Sequence, residues 1–172
     1  ARLARAPALR ALGGRGSVAS DLRTIYFDTP GGALARAGIA LRLRREAGGW
    51  TQTVKRARAL EAGLSEAEEI SCPAAGPEPE LAAIPEPAVA AEIERLAGGA
   101  RLGPVFETEI HRVTHRLRPQ GLGEVELALD EGTIRAGQDE APFAEVELEL
   151  LSGSVRALFA AARALFPDGG IV

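Results

Sequence analysis

With 172 residues, 46% of them apolar, the chain can build one domain around a real core, and no uncharged apolar run approaches the length of a membrane-spanning helix. A net charge of −4 and an aromatic content of 4% argue against a nucleic-acid partner, and the single Cys72 excludes an internal disulfide or a cysteine-rich metal site. No secretory signal opens the sequence, because Arg2, Arg5 and Arg10 interrupt its first stretch, so the expected location is the cytoplasm.

Pro7 near a start and Gly13-Gly14 at an end predict a short helix over 6–12. Residues 21–28 are β-prone, and Thr29-Pro30-Gly31-Gly32 ends that strand with turn chemistry. A helical turn over 33–37 is stopped by Gly38. The next strand sets Ile39, Leu41 and Leu43 on one face and Ala40, Arg42 and Arg44 on the other. Gly48-Gly49 turns the chain into 50–55, where Thr51, Thr53 and Lys55 share a face. Residues 56–63 read as a loop or frayed hairpin tip with solvated Arg56 and Arg58, and 64–72 as a short strand crowded by Glu66, Glu68 and Glu69.

A connection rich in proline, alanine and glutamate spans 73–87. A helix over 87–97 follows, with Pro87 at its first position, Gly98-Gly99 behind it and a stripe of Val89, Ile93 and Leu96. The β-prone run 102–117 puts Ile110, Arg112, Thr114 and Arg116 on one face, with His111 and His115 on the other. In 124–130, Val125, Leu127 and Leu129 oppose Glu124, Glu126, Ala128 and Asp130; Glu131-Gly132 predicts a tight turn into 133–137. The clearest alternation lies in 144–151, where Val146, Leu148 and Leu150 oppose a row formed by Glu145, Glu147 and Glu149. Ser152-Gly153-Ser154 then caps a helix whose stripe is Val155, Leu158, Phe159, Ala162, Leu165 and Phe166. About seven strands with few helices favour an antiparallel sheet curled into a barrel.

Same-face neighbours on a strand lie about 7 Å apart, so two carboxylates there repel by roughly 0.6 kcal/mol in water but about 2.4 kcal/mol at an effective dielectric near 20. A solvated sheet face is the ordinary explanation of one such row. The two helices, however, carry apolar stripes that need a sheet to cover. An antiparallel barrel can turn its apolar face out beneath them and keep a polar lumen. Arg42, Arg44, Lys55 and Arg112 would then face Glu126, Asp130, Glu145, Glu147 and Glu149, a set suited to a polyphosphate chelated by a divalent cation.

The turn Tyr26-Phe27-Asp28-Thr29-Pro30, the strand Gly38-Ile39-Ala40-Leu41-Arg42-Leu43-Arg44, the return Trp50-Thr51-Gln52-Thr53-Val54-Lys55, the segment 124–132 and the strand Glu145-Val146-Glu147-Leu148-Glu149-Leu150 resemble the CYTH family, the triphosphate tunnel metalloenzymes, and within it the bacterial inorganic triphosphatases. The resemblance implies an α+β, mainly β domain over 1–172: an eight-stranded antiparallel tunnel with flanking helices. It implies metal-dependent hydrolysis of a triphosphate, inorganic tripolyphosphate first, with Mg2+ or Mn2+ as cofactor. By position, Arg42, Arg44, Lys55 and Arg112 would hold phosphates; Asp130, Glu145 and Glu147 would be metal ligands and catalytic, with Glu126 and Glu149 as neighbours. The family also includes thiamine triphosphatases, adenylate cyclases and RNA triphosphatases, and a non-catalytic polyphosphate-binding module is the alternative. The opening Glu-x-Glu-x-Lys strand of the family is not in this sequence, Ala67 and Thr114 stand where basic residues are frequent, and the late Lys-x-x-Arg-Gly segment is missing. The expectation is therefore a piece of a longer chain, with its first strand outside the given sequence and a helical CHAD domain as a candidate C-terminal companion.

Overall fold

The period-two patterns become strands, and the computed structural model, which describes residues 7–14, 16–61 and 64–167, shows how they pair. In chain order the elements are α1 (Pro7–Ala11), β1 (Val18–Asp28), α2 (Ala33–Arg36), β2 (Ile39–Glu46), β3 (Gly49–Glu61), β4 (Leu64–Ala74), a 3-10 turn (Leu81–Ala83), α3 (Pro87–Ala97), β5 (Gly103–Leu117), β6 (Gly123–Ala136), β7 (Asp139–Gly153) and α4 (Arg156–Leu165). Seven strands hydrogen-bond in the order β4-β3-β2-β1-β5-β6-β7, and β1–β2, β2–β3 and β3–β4 pair antiparallel. The expected class, mainly β with a few helices, is the one formed; the strand count among the described residues is seven where the resemblance implied eight.

The hairpin expected to end near Lys55 is longer. β3 continues to Glu61 and pairs with β4 across a register shift between Ala57 and Ala59. Arg56 is consequently a strand residue whose guanidinium pairs with Glu92 of α3, rather than a solvated loop cation. Residues 62 and 63 of the expected loop lie outside the described residues. Glu131-Gly132 does not turn the chain: β6 runs through it to Ala136, and Gly137, at φ 62°, supplies the left-handed residue of the turn into β7.

The described chain divides into two compact units, residues 21–110 with 133–142 and the remainder, and each owns a core. In the first, Ile39, Leu41 and Leu43 of β2 and Val54 of β3 pack with Val89 and Ile93 of α3 and with Ile25, Phe27 and Ile84. Leu43 and Ile93 are fully buried, and each such side chain stabilises the unit by roughly 2 kcal/mol. Gln52 shares this apolar side at 1% exposure and makes its own backbone-like pair: its Nε2 donates to the Glu80 carbonyl (3.0 Å) and its Oε1 accepts from the Glu80 N–H (2.8 Å). The proline-rich connection is thereby fastened to β3.

In the second unit, Leu9, Leu117, Val125 and Leu127 pack with Ala157, Ala161 and Leu165 of α4, and Val146, Leu148 and Leu150 join from β7. Of the expected stripe of α4, Leu158, Leu165 and Phe166 pack in this core, while Val155 and Phe159 are exposed at 44% and 38% and Ala157 and Ala161 are buried beside Leu165. Gly123 (φ 137°) and Gly153 (φ 94°) bring the start of β6 against the end of β7; a Cβ on Gly123 would lie 2.1 Å from the Ser152 carbonyl oxygen, and one on Gly153 2.4 Å from that of Leu122. No larger residue fits either position without moving backbone.

Candidate functional site

In each unit the apolar row lies beneath a helix, which leaves the charged rows on the opposite face of the sheet. The physical cause is the alternation itself: once Leu41 and Leu43 face α3, Arg42 and Arg44 cannot.

In the first unit the strand register assembles a cationic patch. Arg42 stands opposite Tyr26 of β1 and Thr53 of β3, Arg44 opposite Thr24 and Thr51, and Lys55 opposite Glu69 of β4. Buried Thr24 accepts a hydrogen bond from Arg44 Nε (3.1 Å), which orients that guanidinium, and Thr53 pairs with Ser71 (2.9 Å). Lys55 Nζ reaches Glu69 Oε1 at 3.0 Å, while Arg42 Nη2 is 3.8 Å from Glu69 Oε2, beyond hydrogen-bond range. Burial works to raise the Glu69 pKa, but the Lys55 hydrogen bond and charge, with the charges of Arg42 and Arg44, outweigh it and hold the carboxyl below its ordinary value. Arg42 has the larger stake in a ligand. Its side chain is only 17% exposed, and its buried Nε has no hydrogen-bond partner among the described residues.

Glu69 was not among the expected site residues. The signal for it was the crowding of glutamates on 64–72, whose pairing with Lys55 only the hairpin register reveals.

In the second unit the carboxylates come together around a cation of the protein itself. Arg112 of β5 donates from Nε to Asp130 Oδ1 (2.8 Å) and from Nη2 to Asp130 Oδ2 (2.6 Å), and the same Nη2 donates to Glu147 Oε2 of β7 (2.9 Å). Asp130 is 3% exposed, so this fork is its main compensation for burial. Hydrogen bonding to Asp130 holds the Arg112 pKa above its ordinary value; burial opposes this, and the charges of Asp130 and Glu147 add to it. Glu145 has an interaction of its own, and Glu126 and Glu149 lie on the same parity as Asp130 and Glu147 without an ion pair among the described residues.

The expected metal set is therefore brought together only in part. Among the described residues no three His, Cys, Asp or Glu side chains are gathered closely enough to hold a metal ion. What is present is a pair of hard-oxygen donors, Asp130 and Glu147, already converged on one positive nitrogen, and that donor chemistry suits a divalent cation. His115 bonds through Nδ1 to the Gly16 carbonyl (3.2 Å), consistent with its placement away from the charged row.

The motif Tyr26-Phe27-Asp28-Thr29-Pro30 performs a structural task. The Asp28 carboxylate accepts from the N–H groups of Thr29 (2.6 Å), Leu34 (2.9 Å) and Ala35 (3.0 Å), and Thr29 Oγ1 accepts from Ala33 N–H (3.0 Å), so the motif closes the start of α2. Burial would raise the Asp28 pKa, but these donors together hold it below its ordinary value. Tyr26 stacks on Phe106 with ring centroids 4.3 Å apart. A cavity of about 1200 Å³ in the first unit lies on the side of Ile25 and Phe27, is bordered by Leu81 and Leu102, and includes none of the expected site residues.

Comparison with known proteins identifies the family and the fold. Over 138 residues, 80% of this chain, the sequence is 33% identical to an inorganic triphosphatase from Haemophilus influenzae, of which it spans 38%. Two solved structures share the fold. A Hippeastrum protein, described as a candidate adenylyl cyclase with a dominant triphosphatase activity, aligns with a TM-score of 0.54 at 17% identity, over 97% of this chain and 80% of that one. A candidate adenylate cyclase from Bacillus halodurans aligns with a TM-score of 0.55 at 20% identity, over 90% and 78%. No helix among the described residues is long and apolar enough to cross a membrane. The CYTH domain model matches residues 2–169, and the chain belongs to the CYTH domain family.

Proposed function

We propose that this chain is the CYTH domain of a longer cytoplasmic hydrolase that cleaves a terminal phosphoryl group from a triphosphate, with inorganic tripolyphosphate as substrate and Mg2+ or Mn2+ as cofactor. The observation that carries the reading is the cationic patch on one face of β2 and β3, where Arg42, 17% exposed and with no acceptor for its Nε among the described residues, stands beside Arg44 and Lys55. An oxyanion with several non-bridging oxygens matches such a group of cations by charge, and guanidinium groups match it by shape as well. The similarity to an inorganic triphosphatase supports the same class.

In this reading Arg42, Arg44, Lys55 and Arg112 bind the phosphate oxygens and stabilise the charge that spreads over them as the bond to the leaving group loosens. Asp130, Glu145 and Glu147 hold the cation, with Glu126 and Glu149 beside them. When bound, the ion supplies positive charge and acidifies water for in-line attack. A CHAD domain following this one in the full-length chain is part of the same proposal.

A second reading, a polyphosphate-binding module without catalysis, is favoured by one observation: Arg112 already occupies the Asp130–Glu147 pair, and no third carboxylate joins it among the described residues. Phosphate release from tripolyphosphate, ATP and thiamine triphosphate by the full-length product, with and without Mg2+, separates the two. Magnesium-dependent release that disappears in Glu147→Ala is expected. Tripolyphosphate binding with no release from any of the three substrates would leave the binding module.

A further inference from the structure

We infer that Arg112 is a built-in competitor for the metal, a guanidinium that sits where a divalent cation would bridge Asp130 and Glu147 and must move before that cation can bind both. The inference rests on the reading of these carboxylates as metal ligands. Its geometric basis is one atom. Nη2 lies 2.6 Å from Asp130 Oδ2 and 2.9 Å from Glu147 Oε2, so both oxygens already point at a single positive centre. A divalent ion would take the same two oxygens at about 2.0–2.6 Å. Ion and nitrogen cannot occupy that space together.

The contact is more than a surface ion pair. The Arg112 side chain is 21% exposed and that of Asp130 2%, and the fork is bidentate on Asp130 before Nη2 extends to Glu147. Strand order produces it, because β5, β6 and β7 are successive neighbours and place these side chains on one face. Being covalently attached, the guanidinium is always present at high local concentration, so a metal must outcompete it rather than merely arrive. A displaced Arg112 then needs a new anionic partner, and a phosphate oxygen is one. Metal and triphosphate would accordingly bind with positive coupling: each ligand rewards the rearrangement that the other requires, and the effect is reciprocal.

The test is Mn2+ binding alone, followed by the loss of the free-ion paramagnetic resonance signal, with no triphosphate present. Arg112→Gln should bind Mn2+ at least about tenfold more tightly than the natural protein, a difference of about 1.4 kcal/mol. Adding Asp130→Asn to that variant should abolish the gain. Because Arg112→Gln leaves a buried carboxylate without its partner, its fold is checked by circular dichroism, and Arg112→Lys serves if it unfolds. A lysine keeps the charge but loses the fork, and should give a smaller gain of several fold. Mn2+ should also raise the melting temperature of either variant more than that of the natural protein. Equal or weaker Mn2+ binding in both variants, with measurable binding by the natural protein, overturns the inference and leaves the proposed function standing. Absence of Mn2+ binding in all three proteins, together with metal-independent phosphate release, overturns the assignment of the carboxylates as ligands and the inference with it.

Discussion

The two charged clusters solve the same electrostatic problem in opposite ways. On β2 and β3 an excess of cations is balanced loosely by Glu69, whose side chain is 41% exposed and which engages Lys55 closely but Arg42 only at 3.8 Å. Around β6 and β7 an excess of carboxylates is balanced tightly by Arg112, bidentate on a buried Asp130. Exposure decides the difference. A wet carboxylate can be shared weakly at little cost, whereas a buried one demands full compensation. The proposed anion would therefore meet loosely balanced cations, whereas the proposed metal ion would have to displace a tightly held one.

Stability measurements test that contrast most strongly. Arg112→Ala strands the buried Asp130 charge and should cost about 3–5 kcal/mol in urea denaturation at neutral pH; a cost below about 1 kcal/mol would place this pair with ordinary surface ion pairs and erase the contrast. Arg42→Ala should barely affect stability but weaken metal-free tripolyphosphate binding about tenfold by calorimetry, a loss of about 1.4 kcal/mol. Arg45→Ala, exposed and on the opposite parity, should leave that affinity unchanged.

Asp28 provides a carboxylate outside both clusters. Its folded pKa is depressed, so its stabilisation is complete above the unfolded carboxyl value near pH 4 and is lost as pH falls through the folded value. Asp28→Asn should cost about 1 kcal/mol at pH 7 and flatten the acid limb of the urea midpoint plotted against pH. An unchanged limb would mean that the donors at α2 do not stabilise the charged form. The smallest effect belongs to Glu69→Gln: less than about 1 kcal/mol of stability, because the pair is half-exposed, with a modest rise in tripolyphosphate affinity as Lys55 and Arg42 lose their resident anion. A fall in affinity would show that Glu69 holds the cations in place rather than competing for them.

Much of this was legible as parity. Ile39-Leu41-Leu43 against Arg42 and Arg44, and Val146-Leu148-Leu150 against the glutamates, alternate too regularly to be anything but strands, and the helices had to cover one side. Pairing between strands was not legible, because it depends on register and strand order. Hence parity puts Arg112 opposite the carboxylates but does not show that it binds Asp130 and Glu147 directly, and it shows neither Glu69 beside Lys55 nor the continuation of β6 through Glu131-Gly132. The stripe of α4 departs from expectation only at Val155 and Phe159, for a different reason. The large side chains Val155 and Phe159 outweighed Ala157 and Ala161 on hydrophobicity, although close approach of a helix to a sheet favours the small ones.

Gln52 has a consequence for how this protein would come apart. A buried amide ties the segment between β4 and α3 to β3 through both hydrogen-bonding groups of Glu80, and Ile84, 5% exposed, anchors the later part of the same segment in the core. Detaching the part that precedes Ile84 need not unfold the sheet, so that part can open as a local event with its own, lower free energy. Under a protease the proline-rich stretch should be nicked first while both cores persist. The site of that first cut, more than the global melting point, would report the state of this one glutamine.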